Sequence, residues 1–200
     1  MPPEGSNLAP LRGDVDIQRL LRMCPPAHTI KGAFIAPNAL AIASDWPGVE
    51  PTLRAPPRGG KYLTFSDYPF SDHLLLSDLA ARAKYPGIPT CEAHRLLTRS
   101  TMDIFSNTTL GKIALSFVSG PTSLLMKYEE VFNRMLSGPV LRVKAAGDSG
   151  VELNYTGYFG TREAIFGVVE GAIIACHRDP TVTVSSKGDG RYVANASWAE

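Results

Sequence analysis

The stretch VLRVKAAGDSGVELNYT, residues 140–156, decides the fold. In its second half Val151, Leu153 and Tyr155 alternate with polar residues, which is the period of a strand with one buried face. The segment GDSG between the two halves contains two glycines, which adopt positive φ without steric cost and are therefore common in tight turns. The stretch predicts an antiparallel hairpin.

The stretch TVTVSSKGDGRYVANASW, residues 181–198, repeats this pattern and predicts a second hairpin. Between the two hairpins lies TREAIFGVVEGAIIACH, residues 161–177, whose apolar residues recur at helical spacing. Thr161 is the expected N-cap, and Pro180 prevents the helix from continuing. The order β-β-α-β-β follows for residues 139–198.

The preceding part of the chain shows helical periodicity instead. We expect helices at 14–23, after Gly32, and at 71–85, 90–105, 108–117 and 122–136, with Asp14 and Ser71 as N-caps of the first and third. Residues 44–61 are rich in proline and predict a long loop. The predicted fold class is α+β, an N-terminal helical layer followed by a β-β-α-β-β unit that forms a four-stranded antiparallel sheet. Residues 1–13 are expected to be a flexible or clasping arm, and 14–200 a single domain with a helical part at 14–138.

Composition excludes several classes of protein. The 200 residues are 44% hydrophobic and 20% charged, which is ordinary for one globular domain. A net charge of +1 is against a nucleic-acid surface. The basic residues Arg54, Arg58, Lys61, Arg95 and Arg99 are typical of solvated surface, with an anionic ligand as the alternative that the sequence does not separate from it. No apolar run has membrane-spanning length and no signal pattern precedes the domain, so the expected location is cytoplasmic.

No arrangement typical of a catalytic or metal site is visible. Cys24, Cys91 and Cys176 are far apart and form no CxxC pair, so we expect free buried thiols and no metal. Asp67, Asp72, His73 and Asp78 lie close in sequence but lack metalloprotease spacing, and the GDSG at 147–150 is explained as a turn. The chain is therefore predicted not to be an enzyme.

Three phrases carry a resemblance to a known family. They are YLTFSDYPF at 62–70, YPGIP at 85–89 followed by EAHRLL at 92–97, and GVVEGA at 167–172. With their spacing they resemble a family of paralogous myxobacterial proteins of unknown function, over about residues 28–198. More distantly, the order of elements resembles the haem-nitric-oxide-binding, four-vinyl-reductase-type and TRAPP-like fold.

That distant resemblance implies two alternative functions. The first is a non-catalytic sensory or regulatory domain that binds an apolar or amphipathic small molecule between the helices and the sheet, lined by Phe65, Tyr68, Phe105, Leu115, Phe132 and Phe166. The second is a homodimeric protein-interaction adaptor without a small-molecule ligand. Gly167 and Gly171 lie four apart on the helix and imply close approach of another backbone, either the sheet or a second subunit.

The haem-binding members of that fold imply an axial ligand, which is usually a neutral histidine facing a dry pocket. His94 and His73 are the candidates in this sequence. No motif for axial ligation or for holding the propionates is visible, so the prediction is that the chain uses no cofactor, with haem through His94 or His73 as the alternative.

Overall fold

The C-terminal part of the molecule has the predicted β-β-α-β-β order. This computed structural model describes residues 9–57, 61–107 and 116–199, and no side chain of 103–107. The four strands of the unit are β4 (Val140–Ala145), β5 (Gly150–Thr156), β6 (Asp179–Ser186) and β7 (Tyr192–Ala199). They form one sheet in the order β4-β5-β7-β6 with every pair antiparallel. The predicted α+β fold class is confirmed.

The helix between the hairpins lies where its cap and its proline predict. It spans Arg162–Ala175, and the Thr161 hydroxyl accepts a hydrogen bond from the Ala164 amide at 3.1 Å. The helix covers the face of the sheet that carries Val151, Leu153 and Tyr155, all fully buried. Alternation along β5 therefore separates a core face from a polar outer face.

The preceding part of the chain is helical, as predicted, with shifted boundaries. Its helices are α1 (Ile17–Met23), α2 (Gly32–Ala41), α3 (Trp46–Val49), α4 (Phe70–Lys84), α5 (Thr90–Asn107) and α6 (Pro121–Met135), so that Arg162–Ala175 is α7. Most of the predicted helix at 108–117 lies outside the described residues. Within the described part of the chain, no helix is both long enough and apolar enough to cross a membrane.

Two predicted N-caps are wrong. Asp16 caps α1 by accepting a hydrogen bond from the Arg19 amide at 2.9 Å, whereas Asp14 accepts from the amide and the hydroxyl of Thr90 at the start of α5. Asp14 thus stabilises a helix that is distant in sequence, and the Thr90 amide is the largest factor that lowers the pKa of its carboxyl. Ser71 lies inside α4, because a short strand runs directly into this helix.

That strand belongs to a small sheet that the sequence did not predict. β1 (Thr29–Lys31) lies in its centre and pairs with β2 (Asp67–Pro69) and β3 (Leu136–Ser137), both antiparallel. Strands of two or three residues are too short to show a period of two. The small sheet fixes the beginning of α4 and the end of α6, and so positions two helices of the candidate site.

The described part of the proline-rich segment, residues 44–57, is a long connection as predicted, but it contains short helical turns. Turns at Ala43–Asp45 and Glu50–Thr52 flank α3, and Pro47 and Pro51 are the second residues of α3 and of the turn Glu50–Thr52. Proline suits these positions, because its fixed φ is helical and its missing N–H would have no partner there. The buried carboxylate of Asp72 then accepts hydrogen bonds from the amides of residues 54 and 55, at 3.0 and 2.9 Å.

Helices α5 and α7 are in backbone contact at the two glycines of α7. A Cβ at Gly167 would collide with the Arg95 carbonyl and the Thr98 hydroxyl, and a Cβ at Gly171 would lie 2.9 Å from the Cβ of Met102. The backbone that approaches is thus α5 of the same chain. The predicted use of Gly167 and Gly171 in a subunit interface is corrected, because α5 covers both glycines.

A buried ion pair joins the same two helices. Arg95 is 2% exposed and donates through Nε to a Glu170 carboxylate oxygen at 2.8 Å, so its assignment to the solvated surface was wrong. Arg95 also donates to Glu92 and to the Ala9 carbonyl, and Glu92 accepts from the Leu11 amide at 2.7 Å. The described part of the predicted arm is therefore held against α5 and is not free.

Candidate functional site

A pocket of about 260 Å³ lies between the helical part and the β-β-α-β-β unit. Helices α2, α4, α5, α6 and α7 all contribute to its wall. Its lining residues are Ile30, Ala33, Phe34, Pro37, Asn38, Phe70, His73, Leu74, Ser77, His94, Leu97, Thr98, Thr101, Tyr128, Phe132, Leu136, Tyr158, Thr161, Ala164, Ile165 and Val168. Pro37 of α2 and Thr101 of α5 are solvent-exposed, so this part of the wall reaches the surface of the described chain.

Four aromatic rings form one wall of the pocket. Tyr158 lies against Phe70 and against Phe132, with ring centroids 5.8 Å apart in both pairs, and Tyr128 meets Phe132 edge to face at 5.9 Å. Edge-to-face and tilted contacts are the favoured geometries for aromatic pairs, so this wall is held rigidly. The rings leave the pocket largely apolar.

Most polar groups in the wall already have partners. Asn38 donates to the Ser77 hydroxyl at 2.8 Å, and Thr98 and Thr101 donate to carbonyls of their own helix. Thr161 accepts the capping hydrogen bond from Ala164. Each of these groups is therefore partly satisfied, although an amide and a hydroxyl can form further hydrogen bonds.

His73 is different, because its imidazole faces the pocket without a partner. Its Nδ1 is buried and makes no hydrogen bond, and its ring packs against Phe70 with centroids 5.6 Å apart. The side chain is half-buried by surface area and lines the pocket, but its Nδ1 has no accessible surface. Desolvation, with a smaller effect of His94, lowers the pKa of His73 to about 4, so the ring is neutral at pH 7.

His94 is the second histidine in the wall, and the buried carboxylate of Asp78 holds its ring in place. Its Nε2 lies 3.0 Å from one carboxylate oxygen of Asp78, and Arg82 donates to the other oxygen at 2.9 Å. Burial opposes ionisation of Asp78, but the hydrogen bonds from His94 and Arg82 lower the pKa of this carboxyl. The Asp78 carboxylate orients the His94 ring, as carboxylates often do for histidines that bind a metal.

Charged side chains are absent from the part of the pocket wall that the structure describes. Lysine, arginine, aspartate and glutamate do not occur among the lining residues. In the described ranges no three His, Cys, Asp or Glu side chains cluster as metal ligands. Cys24 and Cys91 are buried, and desolvation raises the pKa of both thiols to about 11, whereas Cys176 is only half-buried.

Of the six residues predicted to line a ligand pocket, Phe132 does so. Phe65 is 78% exposed, because it precedes β2 in a surface turn. Tyr68 and Phe166 are half-buried outside the pocket, Tyr68 packing against Tyr62. The side chain of Phe105 and all of Leu115 lie outside the described residues.

The sequence contained a signal for the lining residues on α4 and α5, of which only the two histidines were named. Phe70, His73, Leu74 and Ser77 follow the helical spacing of three and four along α4, and His94, Leu97, Thr98 and Thr101 do the same along α5. Each helix therefore presents one stripe that contains a histidine. The predicted lining residues were mostly aromatic instead, and Phe65, Tyr68 and Phe166 among them do not line the pocket.

Comparison with known proteins gives a family and a fold. A family model described as "Protein of unknown function (DUF2378)" matches residues 26–199. No curated protein matches the chain. The family match does not bear on the myxobacterial source suggested above, which stays a prediction.

Several solved structures share the fold. The H-NOX protein of K. algicida, Fe(II) unliganded, is 12% identical with a TM-score of 0.61, covering 86% of this chain and 97% of its own. The H-NOX protein of S. oneidensis in the Fe(II)NO ligation state is 14% identical with a TM-score of 0.62, covering 86% and 100%. A structure described as modulating haem redox potential through protein-induced porphyrin distortion is 14% identical with a TM-score of 0.59, covering 84% and 99%. The predicted haem-nitric-oxide-binding type of fold is confirmed.

These structures correct the prediction that no cofactor is used. Proteins of this fold are described with an Fe(II) centre or a haem, so haem becomes a candidate for this pocket. The neutral, unpartnered imidazole of His73 fits the role of an axial ligand. Two features do not fit a whole haem. Pockets for drug-sized ligands measure about 300–1,000 Å³, more than the 260 Å³ found here, and no described lining residue carries a positive charge for a propionate.

Proposed function

Because the chain belongs to the DUF2378 family, whose description gives no function, we propose one from its pocket: a non-catalytic sensory domain that binds an apolar or amphipathic small molecule between the helical part and the sheet unit. The single observation that carries the proposal is the apolar pocket with the unpartnered His73 imidazole in its wall. A buried polar group without a partner costs stability, and a ligand that pairs with His73 would recover part of that cost.

The position of the pocket supports a sensory role. Residues from five helices line it, and among them α5 and α7 also carry the buried ion pair and the backbone contact at Gly167. A ligand that prefers one arrangement of these helices would shift the population of conformations. Catalysis would need a nucleophile and a base within hydrogen-bond distance, and the described wall offers no such pair beyond the two histidines.

Haem is the first ligand to test because of the fold, although the pocket volume and the uncharged wall do not fit a whole haem. His73 is the residue to substitute in that test, because its Nδ1 has no partner. His94 is less suited, because Asp78 already occupies its Nε2.

The experiment is native mass spectrometry of the purified protein together with an absorbance spectrum of the same sample. We expect a bound mass that is retained in His177→Asn and lost or weakened in His73→Leu. His177 is a matched control, because it is an exposed histidine with positive φ that asparagine tolerates. A Soret band would identify the ligand as haem. A pocket that stays empty both on purification and after incubation with haemin or small apolar compounds would contradict the proposal.

A further inference from the structure

The pocket specifies the class of ligand more narrowly than the fold does. We infer that it takes an uncharged, compact, ring-containing molecule of about ten non-hydrogen atoms, with one hydrogen-bonding group that pairs with the His73 imidazole. This inference rests on the proposed function and names the ligand class for the same site.

The size follows from the volume of the pocket. A cavity of about 150 Å³ in a protein core holds benzene, which corresponds to about 25 Å³ per non-hydrogen atom. At that density the 260 Å³ measured here accommodates about ten such atoms. One ring with a short substituent meets this limit, whereas a tetrapyrrole exceeds it.

The absence of charge in the described wall excludes ions as good ligands. An anion or a cation that enters a largely apolar pocket loses its hydration, and it needs an opposite charge nearby to compensate. Arg82 and Asp78 pair with each other behind His94, and Arg95 pairs with Glu170 on the far side of α5. None of these four side chains lines the pocket.

The polar group of the ligand follows from the hydrogen bonds of the wall. The amide of Asn38 and the hydroxyls of Ser77, Thr98, Thr101 and Thr161 each have at least one partner, and they keep part of their hydrogen-bonding capacity. The Nδ1 of His73 has no partner at all and no accessible surface, so the ring must turn to meet a ligand. A single group on the ligand that pairs with this imidazole therefore removes the largest unsatisfied cost in the described wall.

The shape follows from the aromatic wall. Phe70, Phe132 and Tyr158 meet at centroid distances of 5.8 Å in tilted geometry. A flat ring inserted beside them can adopt the tilted or edge-to-face contacts that aromatic pairs prefer. Pro37 and Thr101 in the wall are exposed, so the pocket is not buried on every side.

Four related compounds test the inference by isothermal titration calorimetry on the full chain. 2-Phenylethanol is neutral and carries one hydroxyl, ethylbenzene lacks the hydroxyl, and phenylacetate and 2-phenylethylammonium are of similar size but charged. We expect 2-phenylethanol to bind at least tenfold more tightly than either ion. The substitution His73→Leu should reduce its affinity roughly tenfold, the effect of one buried hydrogen bond of about 1.4 kcal/mol, and leave the affinity of ethylbenzene unchanged. His177→Asn should change neither.

The location of binding is checked by NMR, because 2-phenylethanol should shift the imidazole nitrogen signals of His73 and leave those of His177 in place. Equal or tighter binding of an ion, or no binding by any of the four compounds, would overturn the ligand class. Stoichiometric binding of haemin that is lost in His73→Leu would also overturn it while supporting the sensory function. The failure of the inference and the failure of the proposed function are therefore distinguishable.

Discussion

The two sides of helix α5 solve opposite packing problems. On the side that faces Gly167 and Gly171, backbone contacts backbone and the Arg95–Glu170 ion pair is sealed from water. On the side that carries His94 and Leu97, the neighbouring helices do not close, and a pocket remains. The difference shows that small residues and paired charges close an interface, whereas rings that pack on one another can leave a space between helices.

The largest expected effect comes from breaking the closed side at its ion pair. Glu170→Ala leaves Arg95 buried with only Glu92 and a carbonyl as partners, and removing one member of a buried pair costs about 3–5 kcal/mol. Urea unfolding followed by circular dichroism measures the free energy of unfolding. Glu130→Ala is the matched control, because its pair with Lys127 is exposed and such pairs contribute about 0–1 kcal/mol. Equal losses in both variants would refute the role assigned to the buried pair.

The second prediction concerns the protonation of His73 in the pocket wall and its effect on the free energy of unfolding. The folded state keeps His73 neutral down to a pKa of about 4, while the unfolded chain takes up the proton near 6.5. The unfolded state therefore binds more protons between these values, and stability should fall by about 3 kcal/mol as the pH drops from 6.5 to 4. We expect this loss in the wild type relative to His73→Leu, from urea unfolding at several pH values. If the free energy of unfolding changes with pH in the same way in both proteins, then folding does not lower the pKa of His73.

A third substitution measures how tightly the closed side is packed. In Gly167→Ala the added Cβ meets the Arg95 carbonyl and the Thr98 hydroxyl, so the helices must separate. Overpacking of this kind lowers the free energy of unfolding by about 1–3 kcal/mol. This loss exceeds the stability gained from the higher helix propensity of alanine. Thermal unfolding provides the measurement, and Gly48→Ala is the control because a Cβ there meets nothing within 4 Å. A more stable Gly167→Ala would contradict the close approach.

The smallest effect is expected three residues earlier on the same helix. Ala164 lines the pocket, so Ala164→Val adds volume where space exists and should change stability by less than about 1 kcal/mol. The same substitution should weaken ligand binding, because it occupies part of the 260 Å³. Calorimetric titration with 2-phenylethanol checks the second expectation. A loss of stability as large as that of Gly167→Ala would mean that the pocket does not exist in solution.

The sequence predicted the C-terminal half of the fold better than the N-terminal half, for physical reasons. Strands of six to eight residues show a clear period, and Thr161 and Pro180 mark the ends of their helix. The small sheet depends on pairing between residues that are far apart in sequence, such as Ile30 with Tyr68 and with Leu136. No local pattern encodes such pairs.

The candidate site was predicted only in part. His73 and His94 were named only as axial ligands in the alternative that the chain binds haem, and both line the pocket. Phe65 was predicted to line the pocket but lies in a surface turn. Similarly, the sequence offered no way to see that Asp14 would cap α5 across 76 residues.

The position of β7 has a consequence for how the chain is made. This strand lies between β5 and β6, so an interior strand of the sheet is synthesised after all of its neighbours. Pairing of β5 with β7 joins Gly150 to Ser197, and contacts of such sequence separation form slowly because a long loop must close first. During translation the edge of β5 that pairs with β7 stays unpaired until β7 has been synthesised. Unpaired strand edges promote aggregation. We therefore expect the yield of folded protein to depend on translation rate and chaperones more than its final stability would suggest.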